Sequence, residues 1–343
     1  MLLENKRIPF IIAEIGVNHN GCAETAKKLI DAAYSAGVDA VKFQTFKAWE
    51  CASKFAPTAD YQKEIAENQY KLLEGLELDF ADFADLKEYA ESLGLVFLST
   101  PDGQKSLDFL CDIGVKAIKI ASGELTNLPF LTAIAFKKLP VILSTGMGTL
   151  GEVEEAINTL KLAGASDIML MHCTTEYPAP AEECNLKAIQ TMQNAFHLPV
   201  GFSDHTLGSE AAIAAATLGA VIFEKHITLD KTMEGPDHAA SIEPDELKTY
   251  VEAIRKTITM LGNGIKIPSK SELKNIPLVR RSLVAAKPIK AGEILTGDKI
   301  AIKRPANGIE PKQLINALGR RVLKDLSEDE PITWKDLGEI IEK

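Results

Sequence analysis

Residues 199–226 read PVGFSDHTLGSEAAIAAATLGAVIFEKH. Two short runs, PVGFSD and AVIFEKH, stay apolar until their last residues and then turn polar, and the stretch near 208–217 between them reads as a helix. Apolar runs without alternation are the pattern of parallel strands covered on both faces.

Toward the N-terminus the same unit recurs. DIMLMHC (167–173), PVILST (140–145), KAIKIAS (116–122), VFLST (96–100), DAVKFQ (39–44) and the first run, Phe10-Ile11-Ile12-Ala13-Glu14, all fit it. Helical patterns lie over roughly 23–36, closed by Gly37, and near 81–93, 104–113, 127–137 and 151–163; a last long helix spans about 244–262. A long irregular stretch separates DAVKFQ from the helix near 81–93. Eight β-then-α units in about 260 residues predict a (β/α)8 barrel over 1–265. A doubly wound sheet with a dinucleotide would need GxGxxG after the first strand, and Gly16-Val17-Asn18-His19-Asn20-Gly21 does not supply it. Beyond the barrel the reading places a basic, polar linker over 266–283 with some helix, then a small domain over 284–343. In that domain Ile289–Leu295 reads as strand–turn–strand, and a helix falls near 311–317.

Composition narrows the function. A chain of 343 residues with 46% hydrophobic and 25% charged residues needs no disulfides to fold. Its five scattered cysteines, without a CxxC pair, point to reduced thiols in the cytoplasm. No apolar run is long enough to span a membrane. A net charge of -10 argues against nucleic acid and requires any small anionic substrate to find a local cluster of lysines and hydroxyls.

Such a cluster is visible at the ends of the runs: Glu14; Lys42 and Gln44; Ser99 and Thr100; Lys119, Ser122 and Glu124; Ser144 and Thr145; His172 and Thr174; Ser203, Asp204 and His205; Glu224, Lys225 and His226. In a barrel these ends converge on the catalytic face. Lys42 and Lys119 interrupt apolar strands, where a charge is costly unless paired; each could simply pair with a barrel carboxylate such as Glu14. Together with Ser122, Ser144 and Ser203 they fit a phosphate and carboxylate site. His205 and His226 end the seventh and eighth runs and could share one divalent ion with open positions; His19 and His172 are weaker candidates, and His197 and His238 carry no signal alone. A Schiff-base aldolase is disfavoured, because the sixth run has no lysine.

The motifs IAEIGVNHNG (12–21), VKFQT (41–45), STP (99–101), KIASGE (119–124), LSTGM (143–147), CTTEYPAP (173–180), GFSDHT (201–206), EKHITLDK (224–231), GPDH (235–238) and KRPANGI (303–309) carry a resemblance. Through them the chain resembles the sialic acid synthases, the makers of N-acetylneuraminic, legionaminic and pseudaminic acids, along nearly its whole length. The resemblance implies a barrel followed by an antifreeze-like (SAF) domain that crosses to the other subunit of a homodimer. It implies Mn2+, or Mg2+ or Co2+, on His205 and His226. Phosphoenolpyruvate would meet Lys42, Thr100, Lys119, Ser122, Ser144 and Ser203. The sugar would meet Glu14, Gln44, Thr175, Tyr177 and Asp237, with Arg304 from the partner chain. Glu124, Lys42 and Lys119 would be catalytic, Glu124 as acid/base. The implied reaction is a transferase forming a carbon–carbon bond between phosphoenolpyruvate and an N-acetylated mannosamine-type sugar, with release of phosphate.

Two features shade the expectation. Asp102-Gly103 follows STP where family members commonly carry an aromatic residue. VKFQTF and TTEY look more like the legionaminate-type members than the neuraminate ones, and Phe43 and Phe46 in place of histidines would suit a 6-deoxy, doubly acetamidated sugar. N-acetylneuraminate synthesis is the alternative, as is another phosphoenolpyruvate condensation making shorter sugar acids. Outside the enzymes, a silent sugar- or ice-binding module is the remaining reading, against which the intact set of strand-end residues stands.

Overall fold

The structure is a computed structural model that describes residues 9–57 and 68–341. The chain divides into two compact units at Gly262/Asn263. In the first, strands β1 (Phe10–Gly16), β2 (Ala40–Thr45), β3 (Val96–Pro101), β4 (Ile118–Ile120), β5 (Val141–Ser144), β6 (Ile168–His172), β7 (Val200–Asp204) and β8 (Ile222–His226) close in sequence order into a barrel. All pairings are parallel, including the closure of β8 onto β1. The (β/α)8 architecture expected from the repeated unit is therefore the fold.

Helices return the chain between strands: α1 (Ala23–Ala36) after β1; α2 (Ala48–Cys51), α3 (Gln69–Leu76) and α4 (Phe80–Ser92) after β2; α5 (Gln104–Asp112), α6 (Leu128–Phe136) and α7 (Leu150–Leu162) after β3, β4 and β5; α8 (Ala188–Phe196), α9 (Glu210–Thr217) and α10 (Pro244–Leu261) after β6, β7 and β8. α1 stops where Gly37 takes a left-handed φ of 81 and its N–H bonds back to Ala33 and Tyr34 carbonyls, a glycine C-cap. α7 starts on a capping box between Thr149 and Glu152. α8 fills the interval before β7 to which the sequence reading assigned no range, and α3 lies inside the stretch read as irregular.

The barrel has two apolar layers. The larger one packs the outward side chains of the strands, such as Ile11, Ala13, Val41, Phe43, Phe97 and Ile118, against the helices. The smaller fills the barrel floor with Phe10, Ile12, Ala40, Leu98, Ala117, Ile142, Met169, Met171 and Ile222. Side chains alternate along a strand, so the next inward positions above this floor are Glu14, Lys42, Thr100, Lys119, Ser144, Ser203 and Glu224. Every strand but β6, whose Met169 and Met171 both face inward, thus turns polar part-way along its inner face, while the outer faces are mainly apolar. Gly201 keeps β7 close to β8, because a Cβ there would sit 2.5 Å from the Ile222 carbonyl oxygen.

The second unit has its own core of Leu283, Ala285, Ile289, Leu295, Ile309, Val322, Leu326 and Ile332 among others. It contains α11 (Lys270–Val279), β9 (Ser282–Ala285) antiparallel to β10 (Ile300–Lys303), α12 (Leu314–Ala317), and β11 (Arg320–Val322) antiparallel to β12 (Leu337–Ile340). Ile289–Leu295 does turn, with the Glu293 N–H bonded to the Lys290 carbonyl. Its two arms do not pair with each other, however. Ile289 bridges Leu326 and Ile294 bridges Arg321, so each arm joins a different segment. No helix among the described residues is long and apolar enough to cross a membrane.

Candidate active site

The inward polar layer lines a cavity of about 290 Å³ at the C-terminal ends of the strands, the face where barrels carry their sites. Glu14, Lys42, Gln44, Thr100, Lys119, Ser122, Ser144, Thr175, Tyr177, Ser203, His205, His226 and Asp237 all line it. Glu124 does not: it sits half-buried on the turn after β4, and its carboxylate accepts a 2.6 Å hydrogen bond from Asn127. Arg304 lies exposed in the second unit, after β10. Ser99, Thr145, His172, Thr174, Asp204 and Lys225 also fall outside the lining, as expected for the outward phase of their strands and for loop positions.

The cations are held by carboxylates. Lys42 Nζ lies 2.8 Å from Glu14 Oε1 and 3.9 Å from Glu224 Oε2, and donates to Thr100 Oγ1 at 3.2 Å. Lys119 Nζ lies 3.6 Å from Glu224 Oε1 and donates to Ser144 Oγ at 2.7 Å. Glu224 thus stands between two ammonium groups and also accepts from Ser203 Oγ at 3.0 Å. Burial works against its charge, but Lys119 and Lys42 outweigh burial and hold the carboxyl below its ordinary range. Glu14 goes the other way: burial outweighs Lys42 and pushes it up to about 7. Two ammonium groups sharing one firmly ionised carboxylate make a local cation in a chain of net charge -10, suited to a small anion bearing phosphate or carboxylate. Glu224 is one of the strand-end residues, and its inward phase, two residues before His226, is the sequence signal that marks it.

The two histidines lie side by side, ring centroids 5.6 Å apart, with the Tyr177 ring 4.2 Å from His205 and edge-on to His226 at 5.6 Å. His205 Nδ1 donates to the Thr174 carbonyl at 2.6 Å, which leaves its Nε2 as the lone-pair nitrogen, 3.3 Å from Ser203 Oγ. A backbone carbonyl fixing the far nitrogen is the usual support of a metal-binding imidazole. His226 Nδ1 is buried with no hydrogen-bond partner, 3.7 Å from Asp237 Oδ2. Burial pushes both imidazoles below their ordinary pKa, which favours the neutral form that ligates. No cage of three or more His, Cys, Asp or Glu side chains exists among the described residues. The donor set therefore fits an ion taken by two imidazoles, with its other positions left to water and substrate.

Other expectations land differently. Phe43 and Phe46 do not reach the cavity. Phe43 is stacked with Phe97 behind β2, and Phe46 packs with Val17, Leu72 and Leu76. His19 stacks on Phe43 and accepts from the Gly21 N–H, while His172 bonds the Cys184 carbonyl. His238, which carried no signal, is fully buried and joins Thr228 Oγ1 at 2.7 Å to Asn20 Oδ1 at 3.2 Å, fastening the loop that bears Pro236 and Asp237.

Asp102 lines the cavity, and its carboxyl is pushed up to about 7, by burial first and Glu124 second, against Lys42. The folded protein then keeps a proton that the unfolded chain releases near pH 4, as Asp residues ordinarily do. The resulting stability is fully present below that pH and is lost as pH rises through about 7. Asp102→Asn stays neutral throughout. Thermal melts of ligand-free protein from pH 5 to 8 should show the variant gaining on the unaltered chain. Parallel profiles would mean that Asp102 is ionised throughout.

Paired lysines suited to a small anion, beside two imidazoles at the catalytic face of a barrel, mark the chain as an enzyme. The chain matches the model of the NeuB family over residues 29–289 and that of the SAF domain over 280–338. It belongs to the NeuB family, the sialic acid synthase type of enzyme, and its C-terminal portion is an SAF domain. It is 51% identical over 327 residues to the N,N'-diacetyllegionaminic acid synthase of Campylobacter jejuni, covering 94% of this chain and 98% of that one. The enzyme of the same name from Legionella pneumophila is 46% identical, covering 96% and 94%. The crystal structure of N-acetylneuraminic acid synthetase from Leptospira borgpetersenii superposes with a TM-score of 0.69 at 35% identity, covering 79% of this chain and 90% of that one.

Proposed function

We propose that this enzyme condenses phosphoenolpyruvate with 2,4-diacetamido-2,4,6-trideoxymannose, giving N,N'-diacetyllegionaminate and phosphate. The observation that carries the reading is the arrangement of Lys42 and Lys119 around Glu224, beside His205 and His226, in one cavity. The choice of sugar is supported by the similarity to two N,N'-diacetyllegionaminic acid synthases, 51% and 46% identical over the aligned residues.

In this reading Lys42, Lys119, Thr100, Ser122, Ser144 and Ser203 hold the phosphate and carboxylate. Glu14, Gln44, Thr175, Tyr177 and Asp237 hold the sugar. A divalent ion on His205 and His226, Mn2+ in the first instance, would supply Lewis-acid polarisation of the aldehyde. Phosphoenolpyruvate C3 bonds to the aldehyde carbon, water adds at C2, and the C–O bond to phosphate breaks. Glu14, poised near neutrality, can give a proton to the new alkoxide. Glu124, on the turn after β4 and close enough to Asp102 to push its carboxyl up, handles the proton of the attacking water. The ammonium groups neutralise the departing phosphate. The reading also takes in a cytoplasmic setting, supported by five free cysteines, and a homodimer in which the partner subunit's Arg304 meets the sugar.

The test is turnover with Mn2+ and phosphoenolpyruvate, followed by phosphate release and product mass. Expected is a clear preference for the trideoxy sugar over N-acetylmannosamine. Preference for N-acetylmannosamine would make the product N-acetylneuraminate, and phosphate release with neither would overturn the reading.

A further inference from the structure

We propose that Leu72, Leu73 and Leu76 of α3, with Val17, form the wall of the cavity that selects the sugar, by receiving its methyl-bearing, hydroxyl-poor portion. The proposal rests on the function above and adds the part of the chain that chooses between acetamido sugars.

These four residues line a cavity whose other walls are built largely of lysines, carboxylates, hydroxyls and imidazoles. Their side chains offer no hydrogen-bonding atom. A sugar hydroxyl placed against them would lose its water and gain no partner, whereas a methyl group would lose nothing. In 2,4-diacetamido-2,4,6-trideoxymannose the C6 hydroxyl is absent and a second acetyl methyl is added. N-acetylmannosamine keeps both hydroxyls. The apolar wall therefore matches the first sugar.

The wall is fixed in place. Leu72 and Leu76 are buried with Phe46 and Val17 in one cluster, and Leu73 is half-buried against it. α3 is capped by Asn68, whose side chain accepts the Lys71 N–H at 2.9 Å. After α3, Glu77 accepts the Ala48 N–H at 2.6 Å and the Lys47 ammonium at 3.1 Å. Gly21 faces the same turn so closely that a Cβ there would come 3.0 Å from the Gly75 carbonyl oxygen. A wall held this way discriminates without having to close. Phe46 contributes from behind, by packing on the leucines.

Leu73 is the residue to change, because it is the least buried of the three leucines. Values of kcat/KM for the two sugars are compared at saturating phosphoenolpyruvate for the unaltered enzyme, Leu73→Asn and the conservative Leu73→Met. A hydrophobic pocket rejects an added hydroxyl by on the order of 100-fold. Leu73→Asn should therefore lower the preference for the trideoxy sugar by about 10-fold, and Leu73→Met by no more than about 2-fold. The KM for phosphoenolpyruvate should stay unchanged in both. An unchanged sugar preference in Leu73→Asn, or an equal loss on both sugars, would overturn the proposal. Should Leu73→Asn fail to fold, Val17→Thr provides the same comparison at a second wall position. Failure of the unaltered enzyme to use either sugar would instead overturn the functional reading, a result seen before any variant is made.

Discussion

Replacing His226 by alanine should abolish divalent-metal-dependent turnover, by about a thousand-fold or more, while leaving the barrel folded. Lewis-acid polarisation by a bound ion supplies several kcal/mol of transition-state stabilisation, and each 1.36 kcal/mol is tenfold in rate. The fold should survive because His226 Nδ1 has no hydrogen-bond partner, so truncation strands no donor or acceptor at that atom. The readouts are phosphate release with added Mn2+, Mn2+ binding followed by electron paramagnetic resonance, and the circular-dichroism melt. Loss of binding and turnover with an intact melt is the expected set. Full activity of the variant in chelator-treated buffer would remove the metal from the account.

The second large effect is expected at Lys119. Lys119→Ala takes away the hydrogen bond to Ser144 and one of the two ammonium groups beside Glu224. If Lys119 holds the anionic end of phosphoenolpyruvate, its KM for that substrate should rise by about 100-fold, as for loss of a charge-assisted contact worth roughly 3 kcal/mol. The KM for the sugar should change by no more than a few-fold. Glu224 would then be left largely to Lys42 at 3.9 Å. A buried carboxylate stripped of a partner costs about 3–5 kcal/mol, so the melt should fall as well. Equal effects on the two KM values in steady-state kinetics would contradict the division of roles.

Much of this was legible in the sequence, and the reason is physical. A strand covered on both faces must be apolar, so Lys42 and Lys119 inside such runs announce themselves. His205 and His226 follow from the closure of adjacent strands, which chain order alone predicts once the barrel is recognised. Elsewhere the text of the chain was mute. Phe43 and Phe46 bracket Gln44 and Thr45 in sequence, yet alternation and the turn after β2 send both phenylalanines away from the cavity. The wall on α3 lay in a stretch read as irregular, although Leu72, Leu73 and Leu76 stand at helical spacing. His238 could not be found by any local pattern, since its partners Thr228 and Asn20 are 10 and 218 residues away.

The division of the barrel interior into an apolar floor and a polar upper layer has a consequence for how such a chain can vary. Reactive groups just above the floor share their parity with the apolar residue two positions before them: Glu14 with Ile12, Lys42 with Ala40, Glu224 with Ile222. Inserting or deleting one residue early in any of these strands would swing the whole strand's reactive set into the helix layer and bring bulky aliphatics into the cavity. A strand of this barrel can therefore exchange one residue for another more readily than it can gain or lose one. The loops, where no parity is enforced, are left as the places where length and specificity can drift together.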